Sequence, residues 1–115
     1  MPVITKTVFN SAEVLAATSN SSTAYIQQTS NNLVASYVAT AVNGATTVDC
    51  KIQHSPDGTN WYDHTTFTQL VGSDGDEVIQ IDKTTDPFLP YMRSVVTLAG
   101  GTKAATITCE LFYSV

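Results

Sequence analysis

The sequence predicts an all-β protein, folded as one antiparallel β-sandwich or jelly-roll-like barrel of about eight or nine short strands. Short runs of β-branched and aromatic residues alternate with polar residues, and Gly, Pro, Asn and Ser clusters separate the runs. No segment carries a convincing helical pattern. The length of 115 residues is enough for one core and too short for two, so we expect a single domain over residues 1–115.

The first strand candidate covers residues 2–9, and residues 1–10 are expected to form either an edge strand or an extended arm. Asn10 and Ser11 are expected to end it. Residues 12–17 alone have helical propensity, but they are too few for a stable helix, so they are interpreted as a short turn or strand. The remaining strand candidates are residues 23–29, 33–42, 46–54, 60–68, 78–81, 90–98 and 104–115.

Two turn signals predict a three-stranded meander in the middle of the chain. Asn43-Gly44 is typical of a two-residue hairpin and predicts that residues 33–42 pair with residues 46–54. The sequence from Ser55 to Gly58 is typical of a type I turn, in which proline sets φ and glycine tolerates a positive φ. This turn predicts that residues 46–54 also pair with residues 60–68.

The environment of Trp61 depends on the register of that second hairpin, which the sequence leaves open. If Ile52 lies opposite Trp61, the indole belongs to the core. If Ile52 lies opposite Tyr62, Trp61 joins the outward face. A buried anchor is the favoured interpretation, and an exposed aromatic that binds a partner or stacks on a sugar is the alternative.

The second register also places Lys51 opposite Asp63 and Cys50 opposite His64. A Cys–His pair suggests a nucleophile. The chain offers no third orienting group, oxyanion-hole motif, catalytic triad or phosphate-binding loop, so a core pair is favoured and we predict no catalytic residues and no enzymatic activity.

No metal or cofactor site is predicted. A simple hairpin places His54 and His64 about four residue steps, or roughly 13 Å, apart, which is too far for one ion. Asp74, Asp76 and Glu77 lack the spacing of a calcium loop and are interpreted as a solvated acidic turn.

Cys50 and Cys109 are interpreted as buried free thiols. Each lies among alternating apolar residues, and two cysteines are too few for a disulfide framework in a chain of this size. Arg93, inside an apolar strand, is expected to pair with a carboxylate or to contact a partner subunit.

The charge distribution argues against nucleic-acid and membrane partners. The formal net charge is −5, and the five cations are scattered rather than clustered. The N-terminal residues lack a signal-peptide pattern, and no apolar run is long enough to span a membrane, so synthesis and retention in a cytosol are expected.

One resemblance covers most of the C-terminal two thirds of the chain. Residues 52–61, residues 90–96, the Gly100-Gly101-Thr102 turn and the last alternating strand resemble the layout of small tailed-bacteriophage virion proteins, in particular capsid decoration or cement proteins. The resemblance implies a non-enzymatic protein that is made in the host cytoplasm, lies on the capsid surface, binds the major capsid protein and braces the head. It also implies a homo-oligomer, with a trimer favoured.

The candidate partner-binding residues fall in two groups. The N-terminal segment is a candidate for strand addition to a neighbour. The first group is Val3, Ile4 and Thr5 in this segment, and the second group is Trp61, Tyr62 and Arg93.

A second resemblance supports an alternative function. The pattern Ser55-x-Asp57-Gly58-x-x-Trp61 is similar to the Asp-box turn of sialidase-type propellers and to hairpins of discoidin-like carbohydrate-binding modules. It implies a carbohydrate-binding β-sandwich module that uses Trp61 and Tyr62.

Overall fold

The computed structural model describes residues 4–16, 19–20, 23–25, 32–44, 46–100 and 103–114. These residues form ten strands and no helix. The strands are β1 (Ile4–Leu15), β2 (Ser19–Asn20), β3 (Ala24–Tyr25), β4 (Asn32–Thr40), β5 (Thr47–Ser55), β6 (Tyr62–Thr66), β7 (Leu70–Val71), β8 (Gly75–Asp82), β9 (Tyr91–Ala99) and β10 (Ala105–Ser114).

The strands form two sheets in which every pairing is antiparallel. Sheet A has four strands in the order β1-β10-β4-β8. Sheet B has six strands, with the order β2-β9-β5-β6, and β3 and β7 pair with β9 and β5. The prediction of an all-β antiparallel sandwich is confirmed.

The core lies between the sheets because alternate residues of each long strand are buried. Strand β4 buries Leu33, Ala35, Tyr37 and Ala39. The facing side chains of sheet B are Val48, Cys50, Ile52, Met92, Val96 and Leu98. Each large aliphatic side chain buried in this way contributes about 1.5–3 kcal/mol to folding.

Two polar features interrupt this apolar core. Ser94 Oγ in sheet B donates a hydrogen bond of 2.6 Å to Asn10 Oδ1 in sheet A, and both residues are buried. The Tyr37 hydroxyl is also buried and has no hydrogen-bond partner among the described residues. Burial raises the pKa of Tyr37, since the phenolate form would be poorly solvated there.

The expected end of the first strand at Asn10 and Ser11 is wrong. Strand β1 continues to Leu15 and absorbs extra residues in irregularities between Val8 and Asn10 and between Asn10 and Glu13. Ala12 has a positive φ of 48° within the second irregularity. Bulges of this kind let a strand keep its pairing while it changes which side chains face inward, and here they turn Asn10 into the core.

The hairpin predicted at Asn43-Gly44 is also wrong. Strand β4 pairs with β10 and β8, while β5 pairs with β9, β6 and β7, so the turn carries the chain from one sheet to the other. The turn is held by hydrogen bonds from Thr46 N to Asn43 O and from Asn43 N to Ala104 O. Gly44 does not have the positive φ that a type I′ hairpin requires.

The turn after β5 follows the sequence prediction, and it joins β5 to β6. Ser55 Oγ accepts hydrogen bonds from the backbone N–H groups of Asp57 and Gly58, and Asp57 Oδ1 accepts from those of Thr59 and Asn60. Gly58 has a φ of 78°. The backbone hydrogen bonds from Asn60 and Thr59 hold the pKa of the Asp57 carboxyl well below its usual range.

Other predicted elements differ in extent. The predicted strand over residues 78–81 begins earlier, at Gly75, and therefore includes Asp76 and Glu77 from the expected acidic turn. Asp74 Oδ1 accepts a hydrogen bond from Val42 N, and Glu77 Oε1 accepts one from Thr68 N. Of the predicted strand over residues 23–29, residues 26–29 lie outside the described residues, as do residues 101–102 of the Gly-rich turn.

Candidate functional site

The outer face of sheet B carries three rows of mostly polar side chains across β9, β5 and β6. The register pairs Asp49 with Thr97, Lys51 with both Val95 and Thr66, and Gln53 with both Arg93 and Asp63. These side chains face outward because their neighbours in β5, Val48, Cys50 and Ile52, fill the core. The rows are Thr97 and Asp49; Val95, Lys51 and Thr66; and Arg93, Gln53 and Asp63.

Hydrogen bonds and one ion pair connect the side chains of these rows. Arg93 Nε donates to Gln53 Oε1 at 3.0 Å, and Gln53 Nε2 donates to Asp63 Oδ1 at 2.9 Å. Lys51 Nζ lies 3.0 Å from Asp63 Oδ1. The hydrogen bonds from Gln53 and Lys51 lower the pKa of Asp63, so it stays ionised at neutral pH.

Trp61 lies beside the row that contains Arg93. The guanidinium carbon of Arg93 is 4.3 Å from the centroid of the indole ring, which is cation–π geometry. Trp61 is half-buried, whereas the Tyr62 side chain is 57% exposed. Trp61 and Arg93 are therefore in contact at one end of sheet B, whereas Tyr62, the strand neighbour of the outward-facing Asp63, belongs to the opposite face of β6.

Neither register considered for this hairpin is correct. Ile52 lies opposite Thr65, and Gln53 lies opposite Asp63, so His64 is an extra residue in a bulge. Trp61 precedes β6 and pairs with no residue of β5. Among the described residues Arg93 contacts Gln53 and Trp61 and forms no ion pair with a carboxylate, and its contact with a partner subunit stays a prediction.

A shallow groove of about 260 Å³ crosses the same face. The side chains that line it are Asp49, Lys51, Asp63, Thr66, Val95 and Thr97. None of these is among the predicted binding residues. The signal for them is the alternation of residues 49, 51 and 53 and of residues 93, 95 and 97, which assigns one face of each strand to the outside.

His54 and His64 are in contact, so the expected separation of roughly 13 Å is wrong. Their ring centroids are 4.7 Å apart. The register places Tyr62 opposite His54, and His64 therefore follows only two residues later, in the bulge. Diagonal neighbours in an antiparallel pair lie within reach of long side chains.

Both imidazoles hold the segment after β8 against the end of the sandwich. Leu89 N donates a hydrogen bond of 3.0 Å to His54 Nδ1, and His64 Nε2 lies 3.2 Å from Pro87 O. The His64 ring packs edge-on against Phe88, with 6.4 Å between centroids. Burial lowers the pKa of His54, and the neighbouring His64 lowers it further.

The remaining candidate groups are the two cysteines and the possible metal ligands. Cys50 and Cys109 are buried free thiols, as predicted, and a hydrogen bond with the Cys109 thiol, together with burial, raises the pKa of Cys50. The bulge moves His64 away from the position opposite Cys50, so the considered Cys–His pair does not form. Within the described ranges, no group of three or more His, Cys, Asp or Glu side chains is arranged to hold a metal ion.

The outer face of sheet A is richer in valine. Val8, Val14 and Val78 are 43%, 76% and 67% exposed. Lys6 and Glu110 form an ion pair of 3.4 Å on this face. Strands β1 and β8 are the two edges of the sheet, and each pairs with a described strand on one side only.

The predicted N-terminal binding residues lie at the start of β1. The backbones of Ile4 and Thr5 lie opposite Ser114 and Tyr113 of β10. Val3 lies outside the described residues. The described part of the segment is thus paired along one side by its own chain, and its other side is the edge of sheet A.

No protein-family model and no curated protein matches the sequence. Solved structures of viral proteins have a similar fold. The chain matches the T13 viral particle of infectious bursal disease virus with a TM-score of 0.67 and 12% identity, over 99% of this chain and 31% of that one. It matches the VP2 subviral particle of the same virus with a TM-score of 0.63 and 12% identity, over 99% of this chain and 32% of that one.

Another solved structure with a similar fold is that of a protein of nearly the same length as this chain. It is the SPBc2 prophage-derived protein YomS, with a TM-score of 0.58 and 13% identity, over 100% of this chain and 96% of that one. The chain spans about a third of the length of the bursal disease virus chains that it matches. At these identities the similarity shows a shared β-sandwich fold.

No helix in the described part of the chain is long and apolar enough to cross a membrane.

Proposed function

We propose that the protein is a non-enzymatic structural protein of a tailed-bacteriophage virion, which binds the major capsid protein lattice and stabilises the head. The observation that carries the proposal is that nearly the whole chain matches part of a viral particle protein and almost all of a prophage-derived protein. The sandwich is a compact scaffold for surface contact, which is what a decoration or cement protein needs. Its location on the outside of the capsid, as a homo-oligomer and most simply a trimer, belongs to the same proposal.

The edge strand β1 is the part of the surface that supports lattice binding best. An edge strand presents unpaired backbone N–H and C=O groups, and a strand from a neighbouring protein can pair with them. Val8 and Val14 are exposed beside this edge, and both would be buried by such a neighbour. This proposal extends the predicted role of Val3, Ile4 and Thr5 along the whole strand.

The test compares heads assembled from the major capsid protein of the same genome with and without this chain. We expect density for the chain on the shell by cryo-electron microscopy and a higher temperature of DNA release or shell disruption. Equal stability of the two preparations, with no density for the chain, would contradict the proposal. Mass measurement of the purified chain in solution tests the trimer separately.

A pair of matched variants tests the proposed edge. Val14→Lys places a charge beside β1, and charged side chains at an edge oppose strand addition. Val71→Lys is the control, because Val71 is similarly exposed, at 67%, but lies in sheet B. We expect Val14→Lys to lose head binding and Val71→Lys to retain it. Equal binding by the two variants would exclude β1 as the contact.

A further inference from the structure

The groove on the outer face of sheet B has a nearly balanced set of charges. The groove lining supplies two carboxylates, Asp49 and Asp63, and one ammonium, Lys51. Arg93 lies outside the lining, in the same row as Gln53 and Asp63, and adds a second positive charge to this face. An anionic ligand would meet the two carboxylates, and a cationic ligand would meet the ammonium and guanidinium groups. The groove therefore favours a ligand that is neutral and has many hydrogen-bonding groups.

The polar side chains of the groove are held in place before any ligand arrives. Lys51 is fixed by Asp63 at 3.0 Å. Gln69 Nε2 lies 3.0 and 3.1 Å from the two carboxylate oxygens of Asp49. Side chains that are already ordered lose little further entropy when a ligand binds, so even a small contact area can give measurable affinity.

A small apolar area lies between these polar groups. Val95 lies on the outward face of β9 and is only 8% exposed. Thr66 lies in the same row as Val95 and Lys51, Thr97 lies in the next row, and each carries a methyl group. A sugar ring has this same mixture, with C–H groups on its faces and hydroxyls around its edge.

We propose that the groove lined by Asp49, Lys51, Asp63, Thr66, Val95 and Thr97 is a binding site for a neutral saccharide. Its carboxylates accept hydrogen bonds from sugar hydroxyls, the Lys51 ammonium donates to hydroxyl oxygens, and Val95 packs against ring C–H groups. The volume of about 260 Å³ is slightly below the range of drug-sized sites, about 300–1,000 Å³, and suits one or two sugar rings. The site is independent of the virion role, and its lining does not include the predicted Trp61 and Tyr62.

The experiment is a ¹H–¹⁵N NMR titration of the full chain. The neutral probes are maltotriose, cellotriose, mannotriose and triacetylchitotriose, and the charged probes are trigalacturonate and deacetylated chitotriose. We expect at least one neutral probe to shift the amide signals of residues 49–51 and 95–97, with a Kd on the order of 1 mM. Deacetylated chitotriose matches triacetylchitotriose in its backbone and adds positive charge, and it should bind more weakly.

Two variants locate the site. Asp49→Ala removes an exposed carboxylate and should weaken binding at least about tenfold, as expected for a charged hydrogen-bonding group. Asp76→Ala is the control, because it removes an exposed carboxylate from the edge of sheet A. The proposal is overturned if no neutral probe shifts these signals at about 20 mM. It is also overturned if charged probes bind as tightly as neutral ones, if the shifts cluster at Tyr62, or if Asp49→Ala binds normally.

Discussion

Acidification should loosen the segment held by His54, and this effect can be separated from other titrations. His54 Nδ1 accepts the hydrogen bond from Leu89 N at 3.0 Å, so it must be unprotonated in the folded protein. Protonation of that nitrogen removes the acceptor and places a positive charge beside the ring of His64, 4.7 Å away. The carboxylate of Asp86 acts in the opposite direction and offsets part of the cost.

The direction in which stability changes with pH follows from the lowered pKa of His54. The unfolded chain, in which this histidine has a pKa of about 6.5, binds the proton more readily than the folded chain. The stabilising contribution is therefore complete above about pH 6.5, and it is lost as the pH falls from there through the lower pKa of the folded state.

The expected loss is about 1–2 kcal/mol of unfolding free energy. A backbone N–H that loses its acceptor costs about 1–3 kcal/mol when it is buried, and the lower half of this range applies because His54 is only half-buried. The neighbouring His64, which is the second cause of the lowered pKa of His54, adds to this cost. The partial compensation by Asp86 keeps the sum within the stated range.

The assay is urea unfolding at about pH 8 and about pH 5 for the wild type and for His54→Asn. Asparagine places its Oδ1 near the position of Nδ1, so it can accept from Leu89 N but does not titrate in this range. The wild type should lose about 1–2 kcal/mol more than the variant between the two pH values. Hydrogen exchange should show the same contrast at the Leu89 amide. Equal losses in the two proteins, with equal Leu89 protection, would refute the reasoning.

Three further substitutions, one of them with a matched control, test the core and the turns by urea unfolding. Tyr37→Phe should stabilise the protein by about 1 kcal/mol, because it removes a buried hydroxyl that has no partner among the described residues, and a loss of stability would contradict this. Ser94→Ala should cost about 1–3 kcal/mol, because it removes the hydrogen bond to Asn10 between the sheets, and an unchanged midpoint would show that this bond is dispensable. Gly72→Ala should cost about 3 kcal/mol, because Gly72 has a φ of 64° and an added Cβ would lie 2.6 Å from Gly44 O. Gly44→Ala is the control, because a Cβ added there meets nothing within 4 Å, and it should be nearly neutral.

The sequence predicted the local features of this fold well because their chemistry lies within a few residues. Ser55, Asp57 and Gly58 form the turn that their side chains and backbone preferences favour. Alternation likewise predicted that strands such as β4 bury one face. Both kinds of signal depend on neighbours in the chain, which the sequence shows directly.

The pairing of strands was less predictable because a turn signal cannot distinguish a hairpin from a connection between two sheets. Strands β4 and β5 both bury alternate residues, and that pattern is the same whether they are neighbours in one sheet or face each other across the core. The bulge at His64 could not be predicted either, because one extra residue in a strand does not change the composition of the segment recognisably. This single residue decided the position of Trp61 and the contact between His54 and His64.

The two proposed binding surfaces lie on different sheets, and this arrangement makes their functions compatible. In a sandwich the two sheets cover one core and turn their outer faces in opposite directions. A copy attached to a shell through β1 and the valines of sheet A leaves the groove of sheet B outside that contact. Saccharide binding would then survive assembly, and decorated heads would carry many copies of a weak site, which act together on a surface that displays many sugars. If the groove were instead the capsid contact, decorated heads would not bind the probe that the free chain binds.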